Sequence, residues 1–243
     1  MRDGASVVVV GAGVVGCSIA FQLAERGVDV LVVERGTVCS GMTARSGALV
    51  RMHYTNEPEA RLALASLAWF QDWSDRVGGW CGFTRTGVAV LVGPDQTERM
   101  RRNVAMLQRI GVGTDVVDPA DLGAEHPEFD LDGVGLAAVE PDSGYADPVA
   151  TTFALAGRAV DLGARIRQGV RAERVLTSGG RVSGLATSEG EVGGDAVVLA
   201  CGPWVDPLAG TAGFELGITP ERAQVAFLSR RLGAGHSQGG KYP

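Results

Sequence analysis

Three glycines, Gly11, Gly13 and Gly16, stand in the stretch VVVVGAGVVGCSIAFQLA with the spacing GxGxxG, and an acid, Glu34, follows 18 residues after the last of them. At a strand-to-helix turn each missing side chain has its own use. Gly11 permits the tight turn, Gly13 lets a pyrophosphate approach the backbone, and Gly16 lets the helix sit close to the strand. Ala12, Val14 and Val15 fill the intervening positions, where the N–H groups and partial positive charge of a helix start would face the phosphates. Glu34 can accept hydrogen bonds from both ribose hydroxyls and would repel a 2′-phosphate, which disfavours NADP. The motif leaves NAD and FAD both open.

The elements that must position these residues are legible around them. Val7 to Val10 is a continuous β-branched run, as in a buried parallel strand, and Ile19, Leu23 and Val28 with Ala20 and Ala24 follow helical spacing. Val30 to Val33 is a second buried strand that ends in Glu34. Together they predict one βαβ unit. The uncharged stretch from Val7 to Ala24 is nearly long enough for a membrane span, but its glycines and the change of period within it argue for strand, turn and helix instead. Arg2 is followed at once by Asp3, which does not suit the basic start of a signal peptide.

Composition narrows the remaining choices. A net charge of -6 with scattered Lys and Arg provides no basic surface for phosphate neutralisation, so nucleic acid is not an expected partner. Cys17, Cys39, Cys81 and Cys201 lie far apart without a CxxC pair, and His53, His126 and His236 have no metal-ligand spacing. Neither a zinc site nor a disulfide framework is expected, and a reducing cytoplasm is the simplest location. The 36 glycines among 243 residues, about twice the usual share, predict many tight turns.

Further along, residues 37–54 form a polar stretch too long for an ordinary βα connection and are expected to be a binding loop. Helices are predicted from Pro58 to about Val77, from about Asp95 to Ile110 and from Pro148 to Leu162, with a short capped helix in DPADLGAEHPEF. Strand-like runs lie at 83–92 and 133–140. Turn residues at Ser178 to Gly180 and Ser188 to Gly190 predict a β-meander over Glu173 to Val192, and Ala196 to Ala200 reads as a further buried strand that ends in Gly202, Pro203 and Trp204. That ending is either an ordinary turn or, since ligands sit at the carboxyl ends of strands in open α/β sheets, part of the nucleotide site.

In order along the chain, GAGVVG with Glu34 and Arg35, the loop SGMTARSGALVR, EPDSGYADP, the meander and DAVVLACGPWVDPL resemble the FAD-dependent D-amino-acid oxidase superfamily, in its sarcosine oxidase, glycine oxidase and dimethylglycine dehydrogenase branch. The resemblance implies an α/β fold: a Rossmann-like three-layer FAD-binding domain with a β-meander, beside an α+β substrate domain. It implies that Glu34 and Arg35 border the adenosine of FAD and that Thr43, Ala44, Arg45, Ser46 and Gly47 wrap its ribityl chain and flavin. It also implies that the Ala172 backbone meets adenine and that Ala200, Gly202 and Trp204 close over the cofactor. Met42 stands where relatives commonly have threonine or serine.

Relatives oxidise a C–N bond of an amine or amino acid, and an arginine near the end of this loop pairs with the substrate carboxylate. Arg51 holds that position here. His53 and Tyr54 follow, either bordering the flavin or packing, and no residue is assigned to a covalent flavin link. The FAD-binding domain is expected at 1–82 and 141–212, and the substrate domain at 83–140 and 213–230. Residues 231–243 are expected to form a disordered tail. Relatives continue further, so an incomplete substrate domain, or completion by a partner subunit, is expected.

Overall fold

The computed structural model describes residues 4–221 and 224. In chain order its elements begin β1 (Gly4–Val10), α1 (Val14–Glu25), β2 (Val30–Glu34), β3 (Leu49–Val50), α2 (Glu57–Gln71), α3 (Trp73–Arg76), β4 (Thr84–Arg85) and β5 (Val88–Val92). They continue with α4 (Thr97–Arg109), β6 (Asp115–Val117), α5 (Pro119–Glu125), β7 (Leu136–Glu140) and β8 (Gly144–Tyr145). The last are α6 (Pro148–Asp161), β9 (Arg165–Gln168), β10 (Ala172–Ser178), β11 (Arg181–Thr187), β12 (Gly190–Leu199) and α7 (Val205–Gly210). No helix among the described residues is long and apolar enough to cross a membrane.

The chain divides into two compact units. The described part of the first is 4–47, Val77–Cys81, 147–221 and 224, and that of the second is Ala48–Arg76 and Gly82–Ala146. This differs from the division expected at 82 and 141: Ala48–Arg76 lies with the second unit, and 213–221 lies with the first. The chain leaves the first unit at Gly47, where the expected binding loop is only half complete. The expectation for 231–243 lies outside the described residues.

The first unit is built on a six-stranded sheet in the order β10-β11-β12-β1-β2-β9. β1 runs parallel to both β2 and β12, and β9 runs parallel to β2. Successive side chains of β1 and β2 point to opposite faces. Val8, Val10, Leu31 and Val33 share one core with Val175, Leu185 and Val192 of the meander and Leu208 of α7. The meander thus belongs to the sheet by hydrogen bonding and still covers one face of its own sheet with side chains. The helices α1 and α6 pack against each other, and α1 packs on β1 and β2.

The two strands expected at the end of the meander and at Ala196 to Ala200 are one strand, β12. Its first half pairs antiparallel with β11 and its second half parallel with β1, and Gly193 is opposite both Gly184 and Gly4. The glycines at this junction serve close strand approach rather than a turn: a Cβ on Gly4 would lie 2.8 Å from the Gly193 oxygen, and one on Gly194 would lie 2.9 Å from Val8 Cγ2.

The second unit holds two small sheets, β3-β8-β4 and β5-β7-β6, each antiparallel. The run expected as a strand at 83–92 is interrupted at Gly87, whose φ of +73° bends the chain between β4 and β5. The helix expected to reach Val77 ends its first segment at Asp72, and α3 follows. Its core gathers Met52, Ala60, Leu67, Leu107 and Val112, while Met100, Val104, Leu136 and Ala138 join α4 to β7.

Gly184 has φ +150°, and a Cβ there would collide with the Val192 carbonyl. Gly157, by contrast, lies inside α6 with open space around it. Gly184→Ala is expected to lower unfolding stability by about 1–3 kcal/mol and Gly157→Ala to raise it by about 0.4–1 kcal/mol. Urea unfolding of both variants, with the midpoints moving in opposite directions, checks this.

Candidate cofactor site

Val10 and Val33 are the last paired residues of the parallel strands β1 and β2, and the chain turns after Val10 at Gly11, whose φ is +105°. The turn is crowded by backbone alone. A Cβ on Gly11 would stand 2.6 Å from the Ala200 oxygen, and one on Gly16 would run into the Gly11 carbonyl. Gly11 N–H donates to the Val33 carbonyl at 2.9 Å and Ala200 N–H to the Val10 carbonyl at 2.8 Å, so β1, β2 and β12 end together around this turn. Gly13 then caps α1 in an extended conformation.

The first turn of a helix leaves its N–H groups without partners inside the helix. Here those positions are Val14, Val15 and Gly16, and no acidic side chain lies in the turn. The Val14 N–H is met by Thr43 Oγ1 at 3.2 Å, which brings a hydroxyl from the glycine- and serine-containing loop to the helix N-terminus. An array of backbone donors with a hydroxyl beside it, roofed by no side chain at Gly11 or Gly13, suits a pyrophosphate.

Glu34 closes the cradle. Its Oε2 accepts from the Ala12 N–H at 2.9 Å and its Oε1 from the Gly36 N–H at 2.8 Å. Each oxygen keeps a further lone pair, so the carboxylate is locked in place and can still accept from ribose hydroxyls. The Glu34 carbonyl accepts from Val170 N–H at 2.9 Å, and the Gly36 carbonyl from Gly169 N–H at 2.9 Å, which brings the approach to Ala172 beside the end of β2. Arg35 lies over the Trp204 ring at 4.1 Å from its centroid, a cation–π contact. Trp204 ends a short 3-10 turn that begins at Gly202, with φ +57°.

The structure therefore brings together Gly11, Ala12, Gly13, Val14, Val15, Gly16, Glu34, Thr43 and Ala200, and it pairs Arg35 with Trp204. Ala44, Arg45, Ser46 and Gly47 are exposed, with Thr43–Arg45 in a 3-10 turn and the Arg45 guanidinium donating to the Gly41 carbonyl at 3.1 Å. Gln168, which the motif reading did not single out, holds the same loop by accepting from Val38 N–H at 2.8 Å. Cys17 sits behind the phosphate turn, where burial, then Cys39 and Glu34, push its thiol up to about 12. It is a packing residue, not a nucleophile. Among the described residues no group of three or more His, Cys, Asp or Glu could hold a metal ion.

Arg51 and His53 belong to the second unit. The Arg51 guanidinium donates to the His53 carbonyl and lies 4.7 Å from the Tyr54 ring centroid. His53 is buried, with Nδ1 3.8 Å from Glu140 Oε1. Burial lowers its pKa from 6.5, Glu140 raises it in part, and Arg51 lowers it again. Desolvation outweighs the facing carboxylate, so the folded protein holds this ring neutral. Glu140 lies within EPDSGYADP, a stretch whose spacing alone assigns it no role. An acid that closes the apolar run LAAV is the signal that could have found it.

Comparison with known proteins agrees with this geometry. Residues 6–243 match the DAO family, described as FAD dependent oxidoreductase. The 4-methylaminobutanoate oxidase (formaldehyde-forming) of Paenarthrobacter nicotinovorans is 34% identical over 213 residues, 86% of this chain and 26% of that protein. Sarcosine oxidase subunit beta of Rhodobacter capsulatus is 27% identical, with 87% of this chain and 53% of that protein covered. The crystal structure of L-proline dehydrogenase from P. horikoshii superposes with a TM-score of 0.83 at 28% identity, over 90% of this chain and 58% of that one. The chain thus spans between a quarter and about three fifths of the length of these relatives.

The lowered His53 pKa gives a pH test. Once unfolded, the ring titrates near its ordinary 6.5, so below that value unfolding takes up a proton that the folded state does not hold. Stability is therefore expected to fall as pH drops from about 6.5 toward the lowered folded value, by at most about 1.4 kcal/mol per pH unit for one group. Urea unfolding at several pH values should show this slope, and His53→Gln should flatten it; an unchanged slope would contradict the assignment. The glycine turn, the locked Glu34 and the match over nearly the whole sequence lead to one conclusion: the chain belongs to the DAO family of FAD-dependent oxidoreductases.

Proposed function

We propose that this chain takes part in FAD-dependent oxidation of a C–N bond in a small amine or amino acid, of the sarcosine or glycine kind. The observation that carries the reading is the glycine turn closed by Glu34, a turn that a single Cβ at Gly11 would drive into the Ala200 backbone. When bound, FAD would supply the acceptor for a hydride from the carbon beside the amine. The chain's own residues bind and orient. The N–H groups of the first turn of α1 and the Thr43 hydroxyl hold the pyrophosphate, Glu34 holds the ribose, and Arg35 with Trp204 borders the adenosine.

Arg51 is assigned to the substrate carboxylate, because a guanidinium presents a planar fork of donors that fits a carboxylate with two parallel hydrogen bonds. One of its five donors is used by the His53 carbonyl, which leaves capacity for a ligand. An unprotonated amine is already a good hydride donor, so no strong protein base is required. His53, neutral and buried, shapes the turn that carries Arg51. The acidic chain, with four free cysteines, suits a reducing cytoplasm.

A second reading, a flavin-binding polypeptide completed by a partner subunit, is supported by the exposed alternate residues Phe214, Leu216 and Ile218, at 66%, 51% and 47%. The N–H groups of Leu216 and Ile218 are fixed by Asp206 at 3.2 and 2.9 Å. The similarity to a sarcosine oxidase subunit points the same way.

The flavin-loaded protein is expected to bleach without oxygen on adding sarcosine, 4-methylaminobutanoate or proline. In Arg51→Lys the KM of such an amino acid should rise by about 10–100-fold, or about 1.4–2.7 kcal/mol, while an amine without a carboxylate is less affected. Flavin that stays yellow with every amine tested favours the partner-subunit reading over autonomous turnover.

A further inference from the structure

Glu140, the last residue of β7, is fully buried, and its polar contacts come from the 51–54 turn and from Ser143 just after β7. Its Oε2 accepts from the Met52 N–H at 3.0 Å and from the Ser143 hydroxyl at 2.8 Å. Its Oε1 has no hydrogen-bond partner among the described residues and lies 3.8 Å from His53 Nδ1, which has none either. The other ring nitrogen, Nε2, is 3.1 Å from Asn103 Nδ2 on α4. An amide nitrogen only donates, so Nε2 must present its lone pair, and the proton of the neutral ring is left on Nδ1, toward Glu140.

The turn itself is fixed at several points. The Met52 side chain is buried in the core with Ala60, Leu67, Leu107 and Val112, and Tyr54 N–H donates back to the Met52 carbonyl at 2.7 Å. Arg51 reaches over this turn to the His53 carbonyl and the Tyr54 ring. A buried carboxylate is expensive unless it meets donors, and among the described residues the one long-range hydrogen-bond donor to Glu140 is the Met52 N–H, next to Arg51.

We propose that Glu140 is the positioning residue of the Arg51–Tyr54 turn: its carboxylate holds the Met52 backbone with one oxygen and fixes His53 as the Nδ1–H tautomer with the other. The charged groups that act on His53 are Glu140 and Arg51. The ring is thus a neutral strut between β7 and α4 that sets where the Arg51 guanidinium can lie. Its meaning for substrate recognition rests on the reading of Arg51 above; the tautomer does not.

The test is long-range proton–nitrogen NMR on the full 243-residue chain labelled with nitrogen-15 at histidine, with His53 identified by its loss in His53→Gln. The wild type is expected to show a protonated Nδ1 and a bare Nε2 at neutral pH. In Glu140→Gln the one carbonyl oxygen keeps the Met52 and Ser143 donors and the amide nitrogen faces the ring, so the tautomer should switch to Nε2–H as the Asn103 amide turns its oxygen to the ring. Ser143→Ala, which leaves Oε1 in place, should keep Nδ1–H. A wild-type ring protonated on Nε2, or an unchanged pattern in a folded Glu140→Gln, overturns the proposal. Should Glu140→Gln not fold, the wild-type and Ser143→Ala spectra decide it. The measurement needs neither flavin nor turnover, so its failure is separate from a failure of the KM prediction for Arg51→Lys.

Discussion

The first unit depends on one close approach of backbone to backbone: the start of α1 lies against the Gly11 carbonyl so tightly that Gly16 has no room for a Cβ. Because of it, the helix leaves the sheet at once, and its N-terminus stays beside the ends of β1, β2 and β12. Gly11 N–H on Val33 and Ala200 N–H on Val10 tie those ends together. Glu34 then closes the turn through the Ala12 N–H. A side chain at Gly16 would push the helix from the turn, and one at Gly11 would push away the end of β12, so either would disturb the placement of the helix donors beside Glu34.

The second unit has a different organising device, a buried polar knot. Glu140 accepts from Ser143 and the Met52 backbone, His53 meets Asn103 at one ring nitrogen and faces Glu140 with the other, and the knot lies beside the core of Met52, Leu67 and Leu107. Apolar packing sets how closely β7, α4 and the 51–54 turn approach, and it does so without regard to direction. Hydrogen bonds to a buried carboxylate are directional and costly to leave incomplete. They select one geometry for the turn, and Arg51 inherits it.

The βαβ start, the meander turns at 178–180 and 188–190, and α6 were legible in the sequence because each has its own local period or turn chemistry. The unity of β12 was not. Gly4 and Gly194 have no room for a Cβ because β1 and β12 approach closely there, a tertiary requirement that leaves no local trace. Likewise the gathering of Gly11, Gly16 and Glu34 at one turn was legible through their spacing, whereas the contacts of Glu140 were not. Its partners Met52 and Asn103 are distant in sequence, and burial of an acid is visible only once those partners are in place. The passage of the chain from one unit to the other at Gly47 was hidden for the same reason: a polar loop gives no sign of the body on which its second half packs.

The central claim is that the glycine turn and Glu34 form a working dinucleotide cradle in this chain. Titration of FAD into the purified protein, followed by quenching of flavin fluorescence, tests it most directly when wild type and Gly16→Ala are compared and circular dichroism shows both to be folded. The account predicts saturable binding by the wild type and a loss of more than about tenfold, roughly 1.4 kcal/mol, in Gly16→Ala. Absence of binding by the wild type, or equal binding by both, would contradict it.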